Sequence, residues 1–127
     1  MRAILCVAML ALLIVATSAE DVELYSDKYD YIDADEILAN DRLREQYYNC
    51  FMDISPCSTA DQTFFKGNFA DSIATNCKRC TEKQKVNLDK MADWFTKNQP
   101  DKWEAFVAKF LKEAKEKNAE LFGNFRM

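Results

Sequence analysis

The clearest pattern along the chain is an apolar stripe between residues 103 and 114. Its members recur every three or four positions, as one face of an α-helix requires: Trp103, Phe106, Val107, Phe110, Leu111 and Ala114. Pro100 suits the first position of this helix, because its missing N–H is not needed there. The stripe lapses at Lys117 and resumes over residues 121–125, which predicts a short sixth helix.

An earlier stripe predicts a helix that ends before Pro56, since proline disfavours helix at the preceding residue. The face of this helix carries Leu43, Tyr47, Cys50, Phe51 and Ile54. A further helix should run from about Thr59 to Asn76, with a kink or a break at Gly67. Its apolar face carries Phe65, Phe69, Ser72 and Ile73.

The sequence T-E-K-Q at residues 81–84 fits a capping box, so a fourth amphipathic helix should begin at Thr81. Its stripe comprises Leu88, Met91, Ala92 and Phe95, with Trp94 alongside. Asp33 and Glu36 resemble a capping pair for a short first helix carrying Ile37 and Leu38. We expect residues 20–32 to form an extended arm that packs through Tyr25, Tyr29, Tyr31 and Ile32. No segment has the pattern of a buried strand, which favours an all-α fold.

Residues 1–19 have the features of a secretory signal: Arg2, an apolar run from Ala3 to Ala16, and small residues before a cleavage point near Ala19. The apolar run is too short to span a membrane comfortably. We therefore expect a secreted, extracellular protein with one helical domain over residues 20–127.

Four cysteines lie in the expected mature chain, at Cys50, Cys57, Cys77 and Cys80. In a small exported domain they favour two disulfides. A redox C-x-x-C should follow a strand, which is missing here, and a four-thiolate zinc site is disfavoured by the exported context. Chain entropy favours a bridge closing the 31-residue loop, at about 3.5 kcal/mol against about 2 for short loops. At each helix–loop corner, however, the Cα atoms of the two nearby cysteines can come within disulfide range, which favours bridges within each pair.

The composition excludes several function classes. The net charge is −4, which argues against a general nucleic-acid binder and against adsorption to an anionic membrane. The chain has no histidine, so Ser-His and Cys-His nucleophiles are absent. It also lacks a glycine-rich phosphate loop, and its carboxylates fall on polar helix faces. We expect no enzyme activity, no cofactor and no metal.

Three features together resemble the insect chemosensory proteins, also called OS-D-like proteins. They are Y-S-D-K-Y-D-Y-I-D-A-D-E-I-L at residues 25–38, the four cysteines, and C-T-E-K-Q-K at residues 80–85. The resemblance implies a compact bundle of about six helices around an apolar channel. It implies the local disulfides Cys50–Cys57 and Cys77–Cys80. It also implies binding of odorants, pheromones, fatty acids or similar lipids, without catalysis.

The sequence departs from the family pattern in three places. Ala70 stands where a proline is common, and we expect Gly67 to supply that kink instead. Nineteen residues separate Cys57 from Cys77, where the family usually has eighteen, and residues 110–120 lack the proline or glycine break often seen there. We expect the extra residue in the segment Ser58–Thr63. The resemblance therefore does not predict the length of the fifth helix or the shape of the last one.

We expect ten side chains from the helical stripes to form the ligand-binding wall: Leu43, Tyr47, Phe51, Phe65, Phe69, Ile73, Met91, Trp94, Phe95 and Phe106. For each one, ordinary core packing is the competing interpretation. Tyrosine hydroxyls are suited to hydrogen-bond the polar head of a ligand at the mouth of the binding site.

The expected partners are hydrophobic small molecules, and the protein should be a monomer. The sequence leaves room for a membrane receptor as a partner. The alternative function is a secreted developmental or protein-interaction factor with a dry core and no small-molecule cargo.

Overall fold

The computed structural model describes residues 22–123, with side chains as far as residue 118. The expected signal segment and Phe125 lie outside the described residues. Five helices follow one another: α1 (Ala34–Leu38), α2 (Asp41–Phe51), α3 (Ala60–Ala74), α4 (Glu82–Asn98) and α5 (Pro100–Gly123). The described part contains no strand. The predicted all-α fold is confirmed, with five helices where about six were expected.

Side-chain caps fix the starts of four helices. Asp33, Asn40, Thr59 and Thr81 each have extended backbone and accept a hydrogen bond from a backbone N–H of the first turn. At α4 the Thr81 hydroxyl accepts from the Gln84 N–H at 3.2 Å, and the Gln84 side chain accepts from the Thr81 N–H at 2.9 Å. The predicted capping box is therefore confirmed.

The end of α2 differs from the prediction. The helix stops at Phe51, five residues before Pro56, and Ile54 is 67% exposed instead of lying on the buried face. Asp53 adopts a left-handed conformation (φ 60°), and the Ile54 N–H returns to the Asn49 carbonyl at 2.9 Å. This pattern is a Schellman motif, which ends the helix by satisfying its last carbonyls.

Two predicted interruptions do not occur. A single helix, α3, runs through Gly67, where we predicted a kink or a break. The last helix, α5, continues to Gly123, so the lapse of apolar residues at Lys117 does not begin a sixth helix. Lys109 and Glu113, an i,i+4 ion pair at 2.9 Å, lie on the polar side of this helix.

Both disulfides are local. Cys50 bonds Cys57, with Cα atoms 4.6 Å apart, and Cys77 bonds Cys80, with Cα atoms 5.0 Å apart. The pairing implied by the family resemblance is confirmed, and the cross-corner pairing favoured by chain entropy is wrong. The bridges take up all four thiols that a zinc site would need. They fix the corners between α2 and α3 and between α3 and α4, and neither reaches α5.

The N-terminal arm lies against α4 and the second corner. The Tyr25 N–H donates to the Arg79 carbonyl at 2.8 Å, and the Gln84 side chain donates to the Ser26 carbonyl at 2.9 Å. The Tyr29 ring packs on Phe64, with centroids 5.1 Å apart. The prediction that Tyr31 also packs on the body is wrong, because this side chain is 78% exposed.

The core lies where α5 packs against α3 and α4. Phe106 and Phe110 are fully buried there, and Phe69 meets both rings edge-on. At one edge Asp53 pairs with Lys66 of α3 and with Lys109 of α5, the latter at 3.2 Å. Within residues 22–123, no helix combines the length and the hydrophobicity needed to cross a membrane.

Candidate functional site

An apolar cavity of about 100 Å³ lies between the helices. All five helices, the N-terminal arm and the Cys77–Cys80 corner contribute side chains to its wall. The wall is mainly aromatic and aliphatic. Such a space disfavours water, because a buried water needs two to four polar partners.

Seven of the ten predicted wall residues line this cavity: Tyr47, Phe51, Phe65, Phe69, Met91, Phe95 and Phe106. The other three, Leu43, Ile73 and Trp94, lie outside its lining. Ile73 packs against the core cluster, and Trp94 lies in a surface groove with Lys90 and Lys97. That any of these side chains contacts a ligand stays a prediction.

Several wall residues were missed by the sequence interpretation. The short helix α1 contributes Ala34, Ile37 and Leu38. Leu88 and Trp103 belong to stripes that were recognised as apolar faces, so their periodicity could have identified them. Tyr48 and Arg44 lie beside the α2 stripe and had no such signal.

The aromatic side of the cavity is built around Phe69. Its ring meets Phe51 edge-on at 4.7 Å between centroids and Phe106 at 5.1 Å. The Trp103 ring stacks on Phe106 at 5.2 Å. Edge-to-face contacts of this kind add to simple burial, and they hold α2, α3 and α5 around the cavity.

Three tyrosines line the cavity, and each hydroxyl already donates to the protein. Tyr25 donates to the Asp71 carboxylate, Tyr47 to the Asp61 carboxylate, and Tyr48 to the Lys102 carbonyl at 3.0 Å. Burial raises the pKa of Tyr47 above its ordinary value, and the neighbouring Asp61 raises this pKa further. The pKa of Tyr25 is raised by burial and then by Asp71. These hydroxyls are therefore neutral and engaged at physiological pH.

Two side-chain amides of the wall, Asn87 and Gln84, are engaged as well. The Asn87 side chain donates to the Ile32 carbonyl at 2.9 Å and accepts from the Ala34 N–H at 3.1 Å. The Gln84 side chain completes the α4 capping box and holds the arm at Ser26. These groups fasten the arm and α1 over the cavity. Most of the remaining cavity wall is apolar.

The fold and the cavity define a class of protein: a small all-helical domain, pinned at two corners by disulfides, around an apolar interior space. The chain belongs to the insect pheromone-binding family, A10/OS-D, whose sequence profile matches residues 25–118.

Three known proteins illustrate the similarity. Ejaculatory bulb-specific protein 3 of Drosophila melanogaster is 40% identical over 110 residues, which cover 87% of this chain and 83% of that protein. A solved chemosensory protein in complex with bromo-dodecanol is 40% identical, with a TM-score of 0.64 over 68% of this chain and 85% of that one. Antennal chemosensory protein A6 from the moth Mamestra brassicae is 36% identical, with a TM-score of 0.58 over 78% and 95%.

Proposed function

We propose that this protein is a secreted carrier that binds and solubilises small hydrophobic ligands, such as odorants, pheromones, fatty acids or similar lipids. The observation that carries the proposal is the apolar cavity between the helices. Membership of a pheromone-binding family supports it. The bromo-dodecanol held by a related structure suggests an unbranched alkyl chain as a ligand for this protein too. The proposal involves no catalytic step.

An alkyl chain supplies enough free energy for such binding. Each buried methylene contributes about 0.8 kcal/mol, so ten contribute about 8 kcal/mol in total. That total corresponds to micromolar affinity before ordering costs are subtracted. Further contacts with the aromatic wall offset part of those costs. We therefore expect affinity in the micromolar range.

The cavity has to widen for a long chain. Its volume of about 100 Å³ is smaller than the engineered cavity of about 150 Å³ that accepts benzene. Neither disulfide constrains α5, which carries Trp103 and Phe106 of the wall. We propose that α5 moves relative to α2 and α3 when a ligand enters.

Secretion is proposed from the signal features of residues 1–19, and the N-terminal residue of the purified protein tests it. The alternative function, an interaction factor with a dry core, would be favoured by a solid interior. The cavity argues against it.

The decisive experiment fills the cavity and measures binding of a fluorescent fatty-acid probe. Met91→Trp adds volume at a half-buried wall position of α4, and Val86→Trp adds a similar volume at an exposed position of the same helix. We expect Met91→Trp to weaken probe binding at least about tenfold, and Val86→Trp to leave it unchanged. Circular dichroism shows whether both variants keep the wild-type helix content. Equal binding by both variants, or no binding by the wild type, would contradict the proposal.

A further inference from the structure

Arg44 is the one charged side chain among the described residues that line the cavity. It lies on α2 and is only 8% exposed. A cationic group with so little access to water is costly to bury unless nearby groups compensate its charge. Its placement in a mainly apolar wall therefore suggests a role in ligand binding beside its structural role.

The protein compensates this charge only in part. The Arg44 Nη1 donates to the Leu38 carbonyl at 2.7 Å, and the Nη2 donates to the Asp41 carboxylate at 3.0 Å. The guanidinium also lies over the Trp94 ring, 4.0 Å from its centre. Asp41 is 89% exposed, so water screens its attraction for the cation. These bonds use two of the five N–H donors that a guanidinium carries.

The other polar groups of the wall are poorly suited to an anionic ligand head. The three tyrosine hydroxyls donate to protein acceptors, two of them to carboxylates. Ser72 donates to the Asn68 carbonyl at 2.8 Å. Asn68 itself is neutral. Arg44 is therefore the group of the wall that distinguishes a charged head from an uncharged one.

We propose that Arg44 receives the carboxylate of a long-chain acid, so that this protein prefers fatty acids to alcohols of the same length. The inference rests on the proposed carrier function and names the ligand class of that cavity. Planar guanidinium groups bind carboxylates through paired, charge-assisted hydrogen bonds. The alkyl tail would occupy the aromatic part of the cavity, beside Phe51 and Phe69.

A purely structural role for Arg44 makes a different prediction. If the side chain only joins α1 to α2 and stacks on Trp94, its replacement lowers the stability of the protein and changes the binding affinities of acids and alcohols equally. If Arg44 binds the ligand head, its replacement weakens binding of the acid alone. The comparison of two matched ligands therefore separates the two roles.

The test measures the affinities of dodecanoate and dodecanol at pH 7 by displacement of a neutral fluorescent probe. We expect wild-type protein to bind the acid at least about tenfold more tightly, which is the size of a charge-assisted pair. Arg44→Met, which keeps the apolar stem, should remove this preference and leave dodecanol affinity within about twofold. Arg42→Met is the matched control, because it removes an equal charge from an exposed position of the same helix. It should retain the preference.

A second variant keeps the proposal testable if Arg44→Met does not fold. Asp41→Asn removes the competing carboxylate and should raise the preference for the acid by about twofold or more. Equal affinity of wild-type protein for both ligands would overturn the role of Arg44 while leaving the carrier function intact. Failure of both ligands to bind would overturn the carrier function itself. A preference that survives Arg44→Met, or that Asp41→Asn lowers, would also overturn the proposal.

Discussion

Phenylalanine side chains occupy two environments in the interior. Phe110 is fully buried in the core and lies outside the cavity lining, with its ring 4.8 Å from Phe106. Phe65 is half-buried and faces the cavity. Both belong to apolar stripes in the sequence, so their periodicity does not distinguish them. Substitution of each residue should distinguish the core position from the wall position.

Phe110→Ala should lower the free energy of unfolding by about 3–5 kcal/mol, because it leaves a void in close-packed core. Phe65→Ala should cost less stability, since its surroundings are already open, and should weaken ligand binding more. Urea denaturation and titration with a fluorescent fatty-acid probe measure the two effects. If Phe110→Ala keeps its fold and loses more affinity than Phe65→Ala, the assignment of core and wall is wrong.

The limits of sequence interpretation at this scale follow from geometry. Trp94 and Phe95 are neighbours about 100° apart around α4, and only Phe95 reaches the cavity. Periodicity indicates the apolar face of a helix but not the depth of each side chain. Arg44 shows the converse, because a charged residue beside the stripe predicts an exposed side chain.

At the scale of the helices, starts were predicted better than ends. Caps such as Thr81 with Gln84 are local side-chain chemistry, so the sequence reveals them. Schellman ends usually carry glycine, but here the left-handed positions hold Asp53 and Asn76. The expected glycine signal was therefore missing. The boundary of α2 was placed at Pro56 instead.

The end of α3 offers a direct test of this explanation. Asn76 has a φ of 55°, and the N–H of the next residue, Cys77, returns to the Ser72 carbonyl at 2.7 Å. Asn76→Ala should lower the free energy of unfolding by about 1 kcal/mol, because alanine is strained in the left-handed region. Asn76→Gly should not lower it. Thermal and urea unfolding of both variants provide the measurement, and equal stability of the two would contradict the assigned strain.

At the scale of the whole molecule, Asp53 joins three helices. It follows α2 and pairs with Lys66 of α3 and Lys109 of α5. These two lysines, Lys66 first, hold the pKa of Asp53 below its ordinary value. The folded protein therefore releases this proton more readily than the unfolded chain does. The stability that results is present above the ordinary aspartate pKa of about 4 and is lost as the pH falls through the lowered folded-state pKa.

Asp53→Asn should consequently reduce the loss of stability that occurs as the pH falls below about 4. Asparagine tolerates the left-handed backbone, so the helix end should remain. Asp89→Asn, at an exposed position of α4, changes the net charge equally and serves as the control. Urea unfolding at a series of pH values measures the effect. A variant with the full acid dependence of the wild type would show that the Asp53 pairs contribute nothing measurable.

The all-α class was the most predictable part, because four apolar stripes have the period of a helix and no segment has the pattern of a buried strand. The bundle and its local disulfides were implied by the family resemblance and not by the stripes themselves. The volume of the interior was not predictable, since it depends on how the stripes pack together. Arm and α1 residues such as Ile32 and Ile37 complete the wall through contacts distant in sequence. No local pattern marks such contacts.

A series of unbranched alcohols from two to fourteen carbons tests the cavity as a unit. Each added methylene should raise affinity about fourfold while it enters existing apolar space, from about 0.8 kcal/mol per group. Beyond the capacity of about 100 Å³ the increment should fall, because further widening separates packed aromatic rings. Isothermal titration calorimetry gives the increments, and burial of the chain should appear as a negative heat-capacity change. Affinity that does not depend on chain length would indicate binding at the surface, and the interior would then have no part in transport.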